Sequence, residues 1–448
     1  MMKRLTVLLG VLACGAVGCS DPEPSTSPSS PDAGTSDLTD MILVDAGSDL
    51  GAPEDQPVDM PPVEDMTTPD ADMSEPVDQG QDQSDDMNAE EDMAPSESTG
   101  PIRGRFESAG PIRNCNDLAT WNAPDGFLLR PQMGVCDDDM TALADTIVAN
   151  LDAAAARDAR VMLVIGQGLN LPSSWLDSCE TYALESGRFT GESCVPWDSN
   201  YQAKLQEALQ THIGPRVKDH QALAGVYFTI STMTNGSEMH FRTNRSTFSN
   251  YPGDEVLRQS YKDVMAIYQD AFDVPIVFEA GHCLWNDDKD CQTPFELYTS
   301  TRDTYGVDAV GVAMWNCAER FFVSENSPEF HTRPIFEEAS KDGASIGCQT
   351  VGSFAQACRF TSTETADYGT PPMGPGNSTC PDSTPEDIEN ACVDTVDWFR
   401  GARQINPASP VIQGTWGEFW SADMRTDGVY HTSTACQEAI DAMIPDTP

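Results

Sequence analysis

Apolar runs of strand length alternate with helical patterning beyond residue 100, and one run ends in a cluster of polar side chains. It opens the segment LAGVYFTISTMTNGSEMHFR, residues Leu223 to Arg242. Val226 to Ile230 are all β-branched or aromatic, which is typical of a strand covered on both faces. Such strands belong to parallel α/β sheets, where the loops after the strand C-termini carry the polar site. We therefore expect Asn235, Glu238, His240 and Arg242 to lie at such a site; the alternative is an ordinary loop with a solvated Glu.

Seven further runs predict strands, and apolar residues at helical spacing predict helices between them. The strands span 103–107, 126–135, 161–168, 274–281, 309–315, 346–353 and 411–418, and the helices span 140–159, 200–217, 254–272, 294–304, 328–341 and 386–405. Eight strands alternating with helices predict an α/β fold, a (β/α)8 TIM barrel, with a doubly wound open sheet as the second choice. No GxGxxG or P-loop sequence follows any strand, which argues against the nucleotide-binding open sheets.

Residues 1–19 have the features of a lipoprotein signal peptide. Two basic residues precede a short apolar run, and its ending AVGC resembles the bacterial lipobox, in which the cysteine, here Cys19, becomes lipidated. Lipidation predicts an exported protein that is lipid-anchored to the bacterial membrane or cell surface. A plain signal peptide cut nearby is the alternative. No later stretch has the length and apolarity of a transmembrane helix.

Residues 20–100 form an acidic linker rich in Pro, Ser and Asp, which precedes a globular part spanning 101–448. The linker holds 23 of the 72 acidic residues and no basic one, with few large apolar side chains. It cannot bury enough surface to offset its ordering entropy, so we expect a disordered stalk. The globular part is acidic as well, which argues against nucleic acid as a partner.

All but two of the 14 cysteines lie in the globular part. An even number in an exported chain predicts disulfides, and the irregular spacing without a CxxC pair argues against a zinc site. We expect disulfide-stabilised loop insertions with local pairs, although the sequence alone does not fix the connectivity. The pairs are Cys115 with Cys136, Cys179 with Cys194, and Cys283 with Cys291.

Polar and aromatic side chains gather at the predicted ends of the strands. Amides and Arg hydrogen-bond hydroxyl groups, aromatic faces stack on pyranose rings, and two carboxylates about 5 Å apart suffice to hydrolyse a glycoside with retention. This combination predicts a carbohydrate substrate and requires no cofactor. The candidates for sugar contacts are Arg130, Gln167, Asn235, His240, His282, Trp315, Asn316, Gln349 and Trp416, and the candidate catalytic carboxylates are Glu238, Glu279 and Glu418.

The order of GFLLRPQMG, VMLVIGQGLNLPSSW and then LAGVYFTI followed by NGSE resembles the retaining (β/α)8 glycoside hydrolases of clan A, in particular their β-galactosidase-like branch. The resemblance lies in the order and strand context of these segments. It implies that Glu238, after the fourth strand, is the acid/base. That family usually has Asn directly before this Glu, whereas Asn235 stands three residues ahead of it here.

The resemblance also implies a nucleophilic Glu at the end of the seventh strand, where Gln349 stands instead. If the weak first strand at 103–107 is not a strand, Glu418 falls on the seventh strand; otherwise Trp416 suits the aromatic residue that the family places on strand eight. We rank Glu418 first as nucleophile and Glu279, on the strand after that of Glu238, second. A site without a nucleophile is the third hypothesis.

Structural roles compete with these assignments. His282, beside Cys283, suits a structural hydrogen bond, and Arg130 suits a pairing with a barrel carboxylate. No HxH or HExxH spacing supports a metal site, and no GxSxG sequence supports a serine hydrolase. Two functions therefore compete: a surface-anchored glycoside hydrolase, and a non-catalytic carbohydrate-binding or adhesive surface lipoprotein with a degenerate barrel site.

The stalk is expected to be dispensable for folding, because its composition offers no apolar face that could dock on the globular part. A protein starting at Gly100 should therefore unfold at the same temperature as one starting at Ser20. Calorimetry of the two proteins checks this, and a loss of several degrees on truncation would show that the stalk packs against the barrel.

Overall fold

The computed structural model describes residues 101–108, 122–186, 189–233, 239, 241, 250–280, 283, 291–318, 328–350, 352–360, 383–402 and 412–443. The predicted signal peptide, with Cys19, and the predicted stalk lie outside these residues. Within them, eight parallel strands form a closed barrel, which confirms the predicted (β/α)8 fold. The barrel strands are β1 (Gly104–Ser108), β2 (Gly126–Leu129), β3 (Arg160–Val164), β6 (Leu223–Tyr227), β7 (Ile276–Glu279), β8 (Val310–Cys317), β9 (Ser345–Thr350) and β10 (Trp416–Trp420).

Each barrel strand pairs with the next barrel strand along the chain, and β10 pairs with β1 to close the ring. At the closure Phe106 lies opposite Glu418, and on the other edge of β10 Glu418 lies opposite Gln349 of β9. The weak strand predicted at 103–107 therefore exists and is the first of the eight. By this order β6 is the fourth strand, β9 the seventh and β10 the eighth.

Helices follow the strands as the apolar spacing predicts. They are α1 (Met140–Ala155), α2 (Ser173–Leu176), α3 (Ser199–Gln206), a π-helical turn (Glu207–Ile213), α4 (Gly214–Val217), α5 (Asp254–Ala271), α6 (Gln292–Tyr305), α7 (Pro328–Asp342), α8 (Pro385–Phe399), α9 (Ser421–Met424), α10 (Val429–Thr432) and α11 (Thr434–Asp441), with short 3-10 turns at Gly168–Asn170, Val307–Ala309 and Ala357–Arg359. Asp139 caps α1, since its side chain accepts from the Thr141 N–H. None of the described helices is long and apolar enough to cross a membrane.

An antiparallel hairpin, β4 (Thr181–Ser186) and β5 (Phe189–Cys194), is inserted between β3 and β6. It was not predicted as strands, because only a disulfide-sized insertion was expected there. The Cys179–Cys194 disulfide closes its base, which confirms one predicted pair. The hairpin also contacts the chain beyond β6: the Ser193 hydroxyl donates to the Ser231 carbonyl at 2.7 Å.

Two apolar layers hold the barrel together. A small cluster that includes Phe106, Leu128, Tyr227, Val277 and Trp416 fills its interior, and a larger one packs the outer strand faces against the helices. All five residues of β6 are buried, as expected for a strand covered on both faces. The strand is nevertheless shorter than the apolar run that predicted it, and 228–233 continue as buried, non-strand chain.

The disulfides beyond the hairpin include one predicted and two unpredicted pairs. Cys283–Cys291 confirms a local prediction, whereas Cys317–Cys348 joins β8 to β9 and Cys392–Cys436 joins α8 to α11. Cys136 is also disulfide-bonded, but its predicted partner Cys115 lies outside the described residues. The cysteines of the unpredicted pairs are farther apart in sequence, and they meet only in the folded protein.

Close packing at Gly347 generates a stability prediction. A Cβ at this position would lie 1.9 Å from Cζ2 of Trp416, inside the barrel core. Gly347→Ala should therefore lower the free energy of unfolding by about 1–3 kcal/mol through overpacking, as measured by chemical denaturation. The matched control is Gly191→Ala in β5, where the new Cβ meets only the flexible end of Leu169. Equal stability of the two variants would contradict the packing described here.

Candidate active site

Six polar side chains share the inner face of the barrel near the C-terminal ends of its strands: Ser108, Arg130, Tyr227, Glu279, Gln349 and Glu418. The alternation of side chains along a strand explains this placement. Phe106, Leu128, Val277 and Trp416 belong to the inner cluster, so Ser108, Arg130, Glu279 and Glu418, two residues further on, face the same side. This is the end of a barrel at which active sites are built.

Glu418 is the centre of this group and is fully buried. The Tyr227 hydroxyl donates to its Oε1 at 2.8 Å, and the Gln349 side-chain amide donates to its Oε2 at 2.9 Å. Both carboxylate oxygens thus have a donor, from the fourth and the seventh strand. The position and orientation of the carboxylate are therefore fixed.

The hydrogen bonds continue beyond Glu418. The Gln349 amide nitrogen also donates to Ser108 Oγ at 2.9 Å, and Nη2 of Arg130 donates to the same oxygen at 3.0 Å. The resulting chain of contacts joins side chains from the first, second, fourth, seventh and eighth strands. Arg130 is thereby tied to the barrel group, where it can act on both Glu418 and a bound ligand.

Burial raises the pKa of Glu418 to about 7, although the charge of Arg130 and the hydrogen bonds from Tyr227 and Gln349 favour the ionised form. Burial, together with the adjacent Glu418 charge, also raises the pKa of Tyr227 well above its usual value, so Tyr227 remains a neutral donor. Glu418 can therefore exist in either protonation state near neutral pH. Perturbed carboxylates of this kind concentrate at functional sites.

Glu279 lies on the fifth strand in the same layer and is fully buried. It follows Val277 of the inner cluster by two residues, which places its side chain on the same inner face as that of Glu418. The structure thus brings two of the three candidate carboxylates to the same end of the barrel interior.

Glu238, Asn235, His240, Arg242 and His282 lie outside the described residues. Met239, the chain neighbour of Glu238, is buried, and its carbonyl accepts from the Thr232 hydroxyl at 3.0 Å and also from Tyr261. The chain is therefore anchored to the outer layer directly after Glu238. The strand order also confirms that Glu238 follows the fourth strand and that Gln349 lies on the seventh. Glu418 consequently lies on the eighth strand, and the alternative count that puts it on the seventh is wrong.

Two residues proposed for sugar contacts have structural surroundings instead. Trp416 is 0 % exposed and packs edge-on against Phe106 and Tyr227, with ring centroids 6.2 and 6.0 Å apart. It forms the floor beneath Glu418 and offers no face to a ligand. Trp420, two residues further along the same strand, is partly exposed, and its indole N–H donates to the Thr350 carbonyl at 3.0 Å.

Gln167 is the second such residue. Its amide nitrogen donates to Thr229 and to the Tyr268 hydroxyl, and its oxygen accepts from the Tyr201 hydroxyl at 2.7 Å. These partners tie the chain after β3 to the chain after β6 and to α3 and α5, so Gln167 supports the wall behind the site. Trp315 and Asn316 belong to β8, but their side chains lie outside what the structure describes.

The sequence argument missed Tyr227 and Ser108. Tyr227 was counted as an apolar strand residue, although its hydroxyl requires a partner once it is buried. The alternation of side chains along a strand could have indicated the inward-facing positions. The spacing WxExW puts residues 416, 418 and 420 on one face, and the same rule puts Ser108 on the same face as Phe106. The described residues contain no group of three or more His, Cys, Asp or Glu that could hold a metal ion.

No family model matches this chain, and no curated protein matches it. Several solved structures are similar to it at low identity. GH5_18 from Streptomyces cattleya, in complex with GlcNAc, is 13 % identical with a TM-score of 0.40, covering 78 % of this chain and 82 % of its own. Endo-glycoceramidase II from Rhodococcus sp. is 12 % identical with a TM-score of 0.34, covering 72 % and 73 %. The catalytic domain of the Paenibacillus polymyxa beta-amylase is 10 % identical with a TM-score of 0.41, covering 77 % and 100 %.

The raised pKa of Glu418 generates a prediction about stability and pH. Because its pKa in the folded protein, about 7, exceeds the ordinary value of 4.5, folding favours the protonated form. The resulting stabilisation is complete below about pH 4.5 and is lost as the pH rises through 7. In wild type, this carboxylate should lower the free energy of unfolding by on the order of 3 kcal/mol as the pH rises from 4.5 to 8. Glu418→Gln stays neutral and should lack this contribution, as measured by urea denaturation over the same pH range.

The decrease does not vanish completely in that variant, because burial also raises the pKa of Asp423 to about 7. The matched control is Glu438→Gln on the exposed face of α11, which should reproduce the wild-type pH profile. A Glu418→Gln profile as steep as that of wild type would contradict the described burial of this carboxylate.

Proposed function

We propose that the barrel is a retaining glycoside hydrolase in which Glu418 is the nucleophile and Glu238 the acid/base. The observation that carries the proposal is the environment of Glu418: a buried carboxylate at the C-terminal end of the barrel interior, with both oxygens fixed by donors and an arginine nearby. A nucleophilic carboxylate requires a fixed orientation and a tuned charge, and the surroundings of Glu418 supply both.

The proposed reaction has two steps. In the first, an oxygen of ionised Glu418 attacks the anomeric carbon, the bond to the leaving oxygen breaks, and Glu238 donates the proton that this oxygen takes up. In the second, Glu238 removes a proton from water, the water oxygen attacks the anomeric carbon, and the ester bond to Glu418 breaks. Arg130, Tyr227 and Gln349 stabilise the carboxylate whenever it carries its charge.

The position of the fourth strand supports this pairing. In a ring of eight strands the fourth lies opposite the eighth, yet the long Tyr227 side chain crosses the interior and reaches Glu418 at 2.8 Å. The chain that leaves the same strand carries Glu238, eleven residues after Tyr227. We infer that a ligand above the inner floor would contact Glu418 on one side and the residues that follow β6 on the other.

The second candidate function is a non-catalytic carbohydrate-binding or adhesive protein. It is favoured by Gln349, which occupies the seventh-strand position where the family resembled by the sequence places its nucleophile, and which is hydrogen-bonded to Glu418. Under this alternative Glu418 only orients Gln349, and sugars bind without turnover.

We also propose that the protein is exported and held at a bacterial membrane through a lipid on Cys19. The four disulfides among the described residues support an oxidising compartment. Metabolic labelling with a fatty acid, compared between wild type and Cys19→Ala, tests the anchor.

Substitution of the three carboxylates tests the mechanism. Glu418→Gln should abolish hydrolysis of every aryl glycoside that the protein accepts, because no nucleophile remains. Glu238→Gln should lower turnover about 10²–10⁴-fold on poor leaving groups and much less on activated ones, and added azide should rescue its second step. Turnover is measured on aryl glycosides with a range of leaving-group pKa values.

Glu279→Gln is the third variant and separates the two candidate nucleophiles. It should retain measurable turnover if Glu418 attacks, whereas complete inactivity of Glu279→Gln beside an active Glu418→Gln would transfer the role to Glu279. Full activity of Glu238→Gln would contradict the acid/base assignment. Sugar binding by wild type without any turnover would favour the second candidate function.

A further inference from the structure

The inserted hairpin holds the chain that leaves the fourth strand. It belongs to the loop after β3, at the same end of the barrel as Glu418. Tyr182 of β4 and Ser193 of β5 lie directly opposite each other in the hairpin. Both side chains donate to one acceptor, the carbonyl oxygen of Ser231, at 3.3 and 2.7 Å. Ser231 is fully buried, so these two donors satisfy a carbonyl that water does not reach.

The hairpin also contacts the same chain farther along. The Tyr182 ring packs against Phe241 with ring centroids 5.7 Å apart, and Trp197, just after the hairpin, packs against Phe241 at 6.3 Å. Burial raises the pKa of Tyr182 well above its usual value, so its hydroxyl stays protonated and can donate. Tyr182 therefore contacts the chain on both sides of residues 232–240, with its hydroxyl at Ser231 and its ring at Phe241.

A further hydrogen bond links two residues within this stretch. The Thr232 hydroxyl donates to the Met239 carbonyl at 3.0 Å. Glu238 directly precedes Met239, and consecutive Cα atoms are held about 3.8 Å apart, so a displacement of Met239 displaces Glu238. The hairpin fixes Ser231 at one end of the stretch and Phe241 at the other. The position of Met239 consequently depends on the hairpin as well as on α5.

We propose that Tyr182 and Ser193 are positioning residues for the acid/base Glu238. This inference rests on the proposed function. The two side chains act through the chain after β6, whose placement they share. A general acid must lie within hydrogen-bond reach of the leaving oxygen, so a small displacement lowers the rate wherever departure needs the proton. The Cys179–Cys194 disulfide closes the hairpin directly beside Ser193 and maintains its pairing with Tyr182.

A comparison of leaving groups tests the proposal in the intact protein. The hairpin variant, Tyr182→Phe with Ser193→Ala, removes both hydrogen bonds to the Ser231 carbonyl and keeps the aromatic ring against Phe241. Its kcat/KM should fall about 10–100-fold on aryl glycosides with poor leaving groups. On activated leaving groups, which need little protonation, the loss should be at most about threefold. Equal losses on both substrates, or no loss on either, would overturn the proposal, because a purely structural role does not depend on the leaving group.

The matched control is Tyr298→Phe in α6. Tyr298 is fully buried, and its hydroxyl donates to Asp342 at 2.8 Å, between α6 and α7. This variant loses a buried tyrosine hydrogen bond away from the hairpin, so the ratio of kcat/KM between the two leaving groups should equal that of wild type. A ratio changed as much as in the hairpin variant would count against the proposal.

Ser193→Ala alone carries the test if the double variant does not fold. It removes the shorter of the two hydrogen bonds and leaves Tyr182 in place. The same dependence on the leaving group is expected, with a smaller loss. A uniform loss, or none, would again overturn the positioning role.

Glu238→Gln separates this inference from the proposed function. Added to Glu238→Gln, the hairpin substitutions should cause no further selective loss on poor leaving groups, because the acid they position is already absent. A further selective loss of the same size would overturn the positioning role and leave the hydrolase intact. The same conclusion holds if Glu238→Gln is impaired and the hairpin variant is not. Full activity of Glu238→Gln would instead overturn the acid/base assignment, and the positioning role with it.

Discussion

The burial of one carboxylate, Glu418, is the constraint on which the site depends. Moving a carboxylate from water into a protein interior is costly unless donors and a nearby positive charge compensate for the lost hydration. Here Tyr227 and Gln349 contribute a hydrogen bond to each oxygen, and Arg130 contributes its charge through the same group of side chains. The compensation is incomplete, which is why the pKa rises to about 7. Glu418 can therefore gain or lose its proton near neutral pH.

The barrel makes this arrangement possible because it brings distant parts of the chain to the same point. Tyr227 and Glu418 are 191 residues apart, and Gln349 and Ser108 are 241 residues apart. The tight packing of Trp416 against Gly347 sets the level of the floor, so that the next inward residues on β9 and β10, Gln349 and Glu418, lie side by side. The Cys317–Cys348 disulfide joins β8 to β9 directly before Gln349 and restrains the strand that carries it.

The fold could be predicted from the sequence because burial leaves a local signal. Each inner strand is covered on both faces and shows as an apolar run, and each helix shows its apolar spacing. The site could be predicted only in part. Glu418 and Gln349 were found because polar residues at strand ends are conspicuous, whereas Tyr227 was hidden among the apolar residues of β6. Trp416 and Gln167 were predicted to contact the sugar. Sequence position does not show that Trp416 is buried beneath Glu418 or that Gln167 is buried behind the site.

Under the proposed function, a nucleophile on the eighth strand instead of the seventh has a geometric consequence. Neighbouring strands lie about 4.8 Å apart, so moving a nucleophile by one strand moves the attacked carbon by a comparable distance around the ring. The seventh-strand position holds Gln349, whose side chain has nearly the same shape as Glu but donates to Glu418 instead of repelling it. Two carboxylates at these adjacent, paired positions would raise each other's pKa. One carboxylate and one amide can coexist there, and this pairing leaves Glu418 without a like-charged neighbour on β9.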